Sequence, residues 1–178
     1  LIENSVKFIS EQDSLNAAIL GIDAKAGSPE FDLFIKEALA EITTKAGQKC
    51  TAMRRLIIPH DSLNDVSEAL VEELSKVKIG NPKNIETQMG ALVSEGQKQE
   101  VLKIISKMSN ENTLIFNGIA PKKGAFVSPH LYYSQNALKG GIANETEAFG
   151  PVTTIMTYNN PDEACKLIKL GGGSLVSS

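Results

Sequence analysis

The sequence is poor in the residues that most often announce a chemistry. It holds two cysteines and two histidines in 178 residues. Cys50 and Cys165 stand in unrelated local contexts, which argues against a disulfide framework. Free thiols persist in a reducing compartment, so the expected location is the cytoplasm. His60 and His130 are far apart, and no group of His, Cys and carboxylate has metal-ligand spacing, so no metal site is expected. There is no G-x-G-x-x-G turn and no P-loop. Apolar runs are only a few residues long, too short to span a bilayer. The opening segment carries charge early and lacks the apolar centre of a signal peptide. A net charge of -3 leaves no basic footprint for nucleic acid.

What is present is an ordinary globular composition. A hydrophobic share of 42% and this length suit one domain with a sizeable core. The chain opens on Leu1 without an initiator methionine, and a new strand begins to form around Ser174–Ser178. Residues 1–178 are therefore expected to be one truncated domain of a longer protein.

Val6–Ile9 and Ala17–Gly21 are short apolar runs with polar borders, as in strands. Gly27-Ser28-Pro29 carries helix-start chemistry. Phe31, Phe34, Ile35, Ala38, Leu39 and Ile42 then follow at helical spacing, and Gly47 breaks the helix. Arg55–Pro59 reads as a strand, and Asp61 or Ser62 as the cap of a helix with a Leu63, Val66, Leu70, Leu74, Val77 stripe. Gly80-Asn81-Pro82 is a turn. A third helix is predicted over Gln97–Met108, strands at Thr113–Phe116, Phe126–Pro129 and Val152–Met156, and a last helix opening at Pro161. Strands alternating with helices imply an α/β fold built on an open, largely parallel sheet flanked by helices.

Three segments could carry chemistry. Cys50 lies in Ala46-Gly47-Gln48-Lys49-Cys50-Thr51-Ala52. A Gly-containing loop between helix and strand lets backbone N–H groups approach a reacting atom, so a thiol there can attack a carbonyl with its oxyanion stabilised. Lys49, Arg54 and Arg55 would favour the thiolate if their charges point inward. Equally, Cys50 could be a small residue packed under a strand. Glu11, just past the first run, could serve as a general base, could be a solvated loop acid, and has a rival in Asp13. Glu147 and Phe149 precede a Gly150-Pro151 turn. In extended geometry both side chains fall on one face, where the acid could hold a ribose diol and the ring could pack on a flat cofactor. The plain alternative is a polar turn beside a core Phe. Cys165, inside the last helix, reads as packing.

In order and context these segments resemble the aldehyde dehydrogenase superfamily. Gly47-Gln48-x-Cys50 matches the family's nucleophile signature, and Glu147-x-Phe149-Gly150-Pro151-Val152 its cofactor-contact signature. Gly80-Asn81-Pro82 with Thr87–Val93, and Gly124–Pro129, look like the family's connecting segments. Glu11-x-Asp13-Ser14-Leu15-Asn16 and Ala46-Gly47-Gln48-Lys49-Cys50-Thr51-Ala52 are similar to the subgroup in which a semialdehyde dehydrogenase is joined to a ring-opening hydrolase of phenylacetate degradation.

The resemblance implies the catalytic, thiol-bearing domain of such an enzyme, with most of the cofactor-binding domain absent. It implies Cys50 as nucleophile, Glu11 as the base that deacylates, and Glu147 and Phe149 as contacts of the nicotinamide end of NADP or NAD. The implied substrate is a small-molecule aldehyde, a CoA-linked semialdehyde in the subgroup. The implied partners are the missing cofactor-binding domain and further copies of the protein in a homo-oligomer, without nucleic acid or membrane. The isolated chain is expected to be inactive. Two other readings stay open: a non-enzymatic interaction or oligomerisation domain, and a thiol acyltransferase, in which a His would be expected beside Cys50.

Overall fold

The structure, a computed structural model, describes Lys7 and residues 12–178. The expected strand at Val6–Ile9 and the candidate base Glu11 lie outside the described residues.

Five strands form one sheet: β1 (Ala17–Ile19), β2 (Arg55–Pro59), β3 (Thr113–Asn117), β4 (His130–Ser134) and β5 (Val152–Tyr158). Their order is β1-β2-β5-β4-β3, with every neighbour pair parallel except the edge pair β3–β4. Among the described residues five α-helices accompany them: α1 (Pro29–Thr43), α2 (Leu63–Ser75), α3 (Glu95–Glu111), α4 (Ile142–Glu145) and α5 (Pro161–Leu170). The expected open, largely parallel sheet flanked by helices is what forms.

The strand period of two divides the core. Leu56 and Ile58 of β2 point to one face, where Phe31, Ile35, Ala38 and Ile42 of α1 and Val66, Leu70 and Leu74 of α2 cover them. Ile57 points to the other face and joins Val101 and Met108 of α3 and Leu167 of α5. Central strands buried on both faces need unbroken apolar runs, which is why Arg55–Pro59 shows no polar alternation beyond its first residue.

Local chemistry explains the boundaries. Ser28 accepts from the N–H of Phe31 at 3.2 Å, with Pro29 in the first turn of α1. Left-handed Lys45 and Ala46 (φ 53° each) and Gly47 (φ 71°) stop that helix and turn the chain toward Cys50. Ser62 precedes α2 but makes no side-chain cap bond, because a 3-10 turn over His60–Ser62 leads into the helix instead. Ser94 caps α3, which therefore starts earlier and ends later than the apolar spacing predicts.

The expected strand at Phe126–Pro129 is irregular chain; the strand begins at His130. Pro129 offers no N–H to a ladder, whereas the N–H of His130 bonds the Pro151 carbonyl at 2.9 Å. At the far end Ser177 pairs in parallel with Ala17, so the strand expected there begins to form beside β1.

Candidate active site

Cys50 is exposed at the end of the turn that follows α1, not packed under a strand. Its loop is fixed from several sides. A Cβ at Gly47 would overlap the backbone of Gly150 and Pro151, so glycine there allows two segments far apart in sequence to touch. Gln48 Oε1 accepts from the N–H of Val93 at 2.9 Å, which brings in the connecting segment. The amide of buried Asn16 donates to the carbonyls of Cys50 (2.8 Å) and Ala52 (3.0 Å). No acceptor among the described residues takes the N–H of Cys50. Among the described residues it stands as an uncommitted donor beside the thiol.

The three nearby cations do not converge on the sulfur. Lys49 pairs with Glu41 at 2.7 Å. Arg55 donates to the carbonyls of Leu15, Leu167 and Ile168 and to Asn144 Oδ1. Arg54 is 5% exposed and turns to Glu147. The inward electropositive field expected from sequence is thus already committed to other partners. A chain of residue types cannot show that, because each partner lies at a distance in sequence.

Glu147 is buried, at 8% exposure. Its Oε1 accepts from Arg54 Nε at 2.9 Å, and its Oε2 from the N–H of Ser14 at 3.0 Å. The rival acid Asp13 accepts from the N–H of Glu147 at 3.0 Å. The segment is bent rather than extended, since the N–H of Gly150 bonds the Ala148 carbonyl at 2.7 Å. Glu147 therefore points inward while the ring of Phe149 stays 37% exposed. Arg54 links the two, its Cζ lying 5.6 Å from the Phe149 ring centroid. Burial pulls the Arg54 guanidinium below its usual range, and the Glu147 carboxylate opposes that shift.

Sequence reasoning missed Asn16 and the linking role of Arg54. The available signals were a polar residue opening an apolar strand and a double arginine doing the same. Cys165 is exposed on α5, which corrects its reading as packing: Ala164 and Leu167 carry the buried face. An apolar cleft of about 470 Å³ lies between α1 and β1, lined by Leu33, Phe34 and Met53 among others. Cys50, Glu147 and Phe149 do not line it.

The comparisons bear on this geometry. The model of the aldehyde dehydrogenase family matches residues 3–169. A 3,4-dehydroadipyl-CoA semialdehyde dehydrogenase of Aromatoleum evansii is 37% identical over the whole chain, which spans 36% of that relative's length. Among solved structures, proline utilization A of Bradyrhizobium japonicum superposes with a TM-score of 0.80 at 27% identity, over 91% of this chain and 16% of that one. Succinic semialdehyde dehydrogenase of Streptococcus pyogenes, solved with NADP+, superposes with a TM-score of 0.76 at 27% identity, over 86% of this chain and 33% of that one.

Proposed function

The chain belongs to the aldehyde dehydrogenase family, and on that premise we propose that it carries the thiol of an NAD- or NADP-dependent oxidation of an aldehyde to a carboxylic acid. One observation carries this reading: the exposed Cys50 loop lies against the Gly150-Pro151 turn of the cofactor-contact signature, in a contact that only glycine at position 47 permits.

Cys50 attacks the aldehyde carbon to give a thiohemiacetal, and the N–H of Cys50, which has no acceptor among the described residues, holds the oxyanion. Oxidation of that adduct leaves a thioester on the same sulfur. Glu11 activates a water to release the acid. The sequence of steps needs one atom that is both a strong nucleophile and a good leaving group, which favours sulfur over a serine oxygen. A nicotinamide dinucleotide supplies the hydride acceptor when bound. The exposed Phe149 ring fits a flat heterocycle. Glu147 fits a ribose diol once its carboxylate turns from Arg54 Nε, while the bonds of Arg54 to the Gly47 and Gly150 carbonyls stay in place.

The substrate is proposed to be a CoA-linked semialdehyde, a reading favoured by the name of the Aromatoleum relative. The wider proposal covers a cytoplasmic, homo-oligomeric enzyme in which residues 1–178 form the catalytic domain and a cofactor-binding domain of the same protein completes the site. Without a G-x-G-x-x-G turn or a P-loop in this sequence to take the pyrophosphate, the chain alone should not oxidise aldehydes.

The test uses the polypeptide encoded by the complete gene. Aldehyde-dependent formation of NADH or NADPH is expected, abolished by Cys50→Ser. Glu11→Gln should spare the first turnover and stall the next, because the acyl-enzyme accumulates. Full activity of Cys50→Ser would sink the assignment.

A further inference from the structure

We propose that Arg54 is a positioning residue that locks the thiol loop and the Glu147–Pro151 segment in one register, so that the adduct on Cys50 and its hydride acceptor meet at bonding distance. This rests on the reading of Cys50 as nucleophile and of Glu147 and Phe149 as the nicotinamide contacts.

A guanidinium offers five donors in a rigid plane. Arg54 uses that plane to bridge both segments at once. Nη2 donates to the Gly47 carbonyl at 2.7 Å, three residues before the nucleophile. Nη1 donates to the Gly150 carbonyl at 2.8 Å. Nε donates to Glu147 Oε1 at 2.9 Å, and the guanidinium lies over the ring of Phe149. One buried group thus touches the nucleophile loop, the proposed ribose contact and the proposed ring contact.

A buried ion pair is a poor choice for stability alone, since apolar residues of similar volume often do as well. What apolar residues cannot do is fix two backbone carbonyls relative to each other. Lysine, a single point charge on a flexible stem, cannot span these acceptors either.

The experiment uses the complete protein and three readouts: the single-turnover burst of NAD(P)H, the rate of Cys50 alkylation by iodoacetamide, and dinucleotide affinity by calorimetry. For Arg54→Lys the burst should slow roughly 10- to 100-fold, the scale of a misplacement near 1 Å. Alkylation and affinity should each change less than about threefold, because neither requires the two segments to be in register.

A wild-type protein without a burst would overturn the underlying reading, whatever Arg54 does. A normal wild-type burst with an Arg54→Lys burst within about threefold of it overturns the present proposal. So does an equal fall in all three readouts, which a structural role alone would give. Should Arg54→Lys fail to melt cooperatively, Arg54→Met combined with Glu147→Gln is compared with Glu147→Gln alone, so that loss of the ribose contact is common to both. A further slowing of about tenfold in the double variant, with alkylation preserved, supports the proposal. Equal bursts overturn it.

Discussion

Arg54 and Arg55 are sequence neighbours, both are buried, and both backbone N–H groups bond the same carbonyl, that of Asn16 at 3.1 Å. Their side chains nevertheless solve the burial of a charge in different ways. Arg54 meets a carboxylate, Glu147, and two loop carbonyls. Arg55 meets no carboxylate among the described residues. Its partners are Asn144, Leu15 and the carbonyls of Leu167 and Ile168 in the last turn of α5. Those carbonyls carry the negative end of a helix dipole, and that of Ile168 is shared with the capping N–H of Gly171. Among the described residues Arg55 is therefore countered by dipoles alone, and burial pushes its guanidinium down to about 10, still cationic at neutral pH. The first arrangement ties two loops together at the candidate site. The second fastens a helix end to the sheet.

The largest expected effect follows from the second arrangement. Arg55→Met leaves the Leu15 and Leu167 carbonyls and the Asn144 amide oxygen without their donor, at about 1–3 kcal/mol for each buried group left unpaired, while the Ile168 carbonyl keeps the N–H of Gly171. That is most of a total stability of about 5–15 kcal/mol. The variant should be unfolded or nearly so by circular dichroism and urea titration. Gly171→Ala probes the same point from the other side: its φ of -77° suits any residue, but a Cβ would overlap the Arg55 guanidinium. A loss below about 1 kcal/mol in Arg55→Met would mean that water replaces the side chain, and the contrast with Arg54 would weaken.

The next effect is smaller because it can be repaired. Arg54→Met leaves the Glu147 carboxylate buried with one backbone donor, at a cost of about 3–5 kcal/mol. Adding Glu147→Gln removes the stranded charge and should restore the larger part. A double-mutant cycle by urea denaturation measures the coupling. No comparable second-site change exists for Arg55, since it has no single acidic partner. Additive losses in the Arg54 cycle would erase the difference between the two arginines.

How far this was legible from sequence varies with distance along the chain. The alternation of strands and helices and the helix start at Gly27-Ser28-Pro29 are local signals and appear as expected, while α1 ends at Thr43, where left-handed Lys45 and Ala46 break it just before Gly47. The strand displaced from Phe126–Pro129 to His130–Ser134 shows where apolar content misleads. His130 and Ser134 are polar yet buried, because β5 on one side and β3 on the other supply ladder partners that no local pattern reveals. Cys165 sits one helical step from Ala164, far enough round α5 to leave the buried face. At the candidate site, the signature residues are candidates that resemblance supplies. The inward turn of Glu147 was not, because it depends on a bend at Ala148–Gly150 and on a partner far back in the chain.

Gly47 offers a milder way to disturb the Arg54 side. Gly47→Ala must accept φ of 71° and push against the Gly150 backbone. A cost of about 1–3 kcal/mol is expected for the strained backbone, more if the loops cannot separate. The thermal midpoint should fall while Cys50 stays reactive to iodoacetamide. Unchanged stability would mean that the two segments are not pressed together as the structure has them.

Lys49 carries the smallest expected effect and tests what the two arginines leave open, namely whether any cation acts on the thiol. Its ammonium lies 2.7 Å from Glu41 Oε1, and the two side chains are 24% and 19% exposed. A partly exposed pair of this kind contributes about 0–1 kcal/mol. Lys49→Met should fall near the upper end, because the other Glu41 oxygen already lacks a partner. Since Glu41 holds the ammonium, its loss should change the rate of Cys50 alkylation at neutral pH by less than about twofold, the residue of a neutralised and screened charge. Glu41→Gln is the reverse probe, because it frees the ammonium without removing it. If alkylation then accelerates and Lys49→Met abolishes the gain, Lys49 reaches the sulfur when released, and its pairing with Glu41 restrains the thiol. If neither substitution moves the rate, the reactivity of Cys50 owes nothing to Lys49 and must be sought in the backbone N–H and the exposure of the loop.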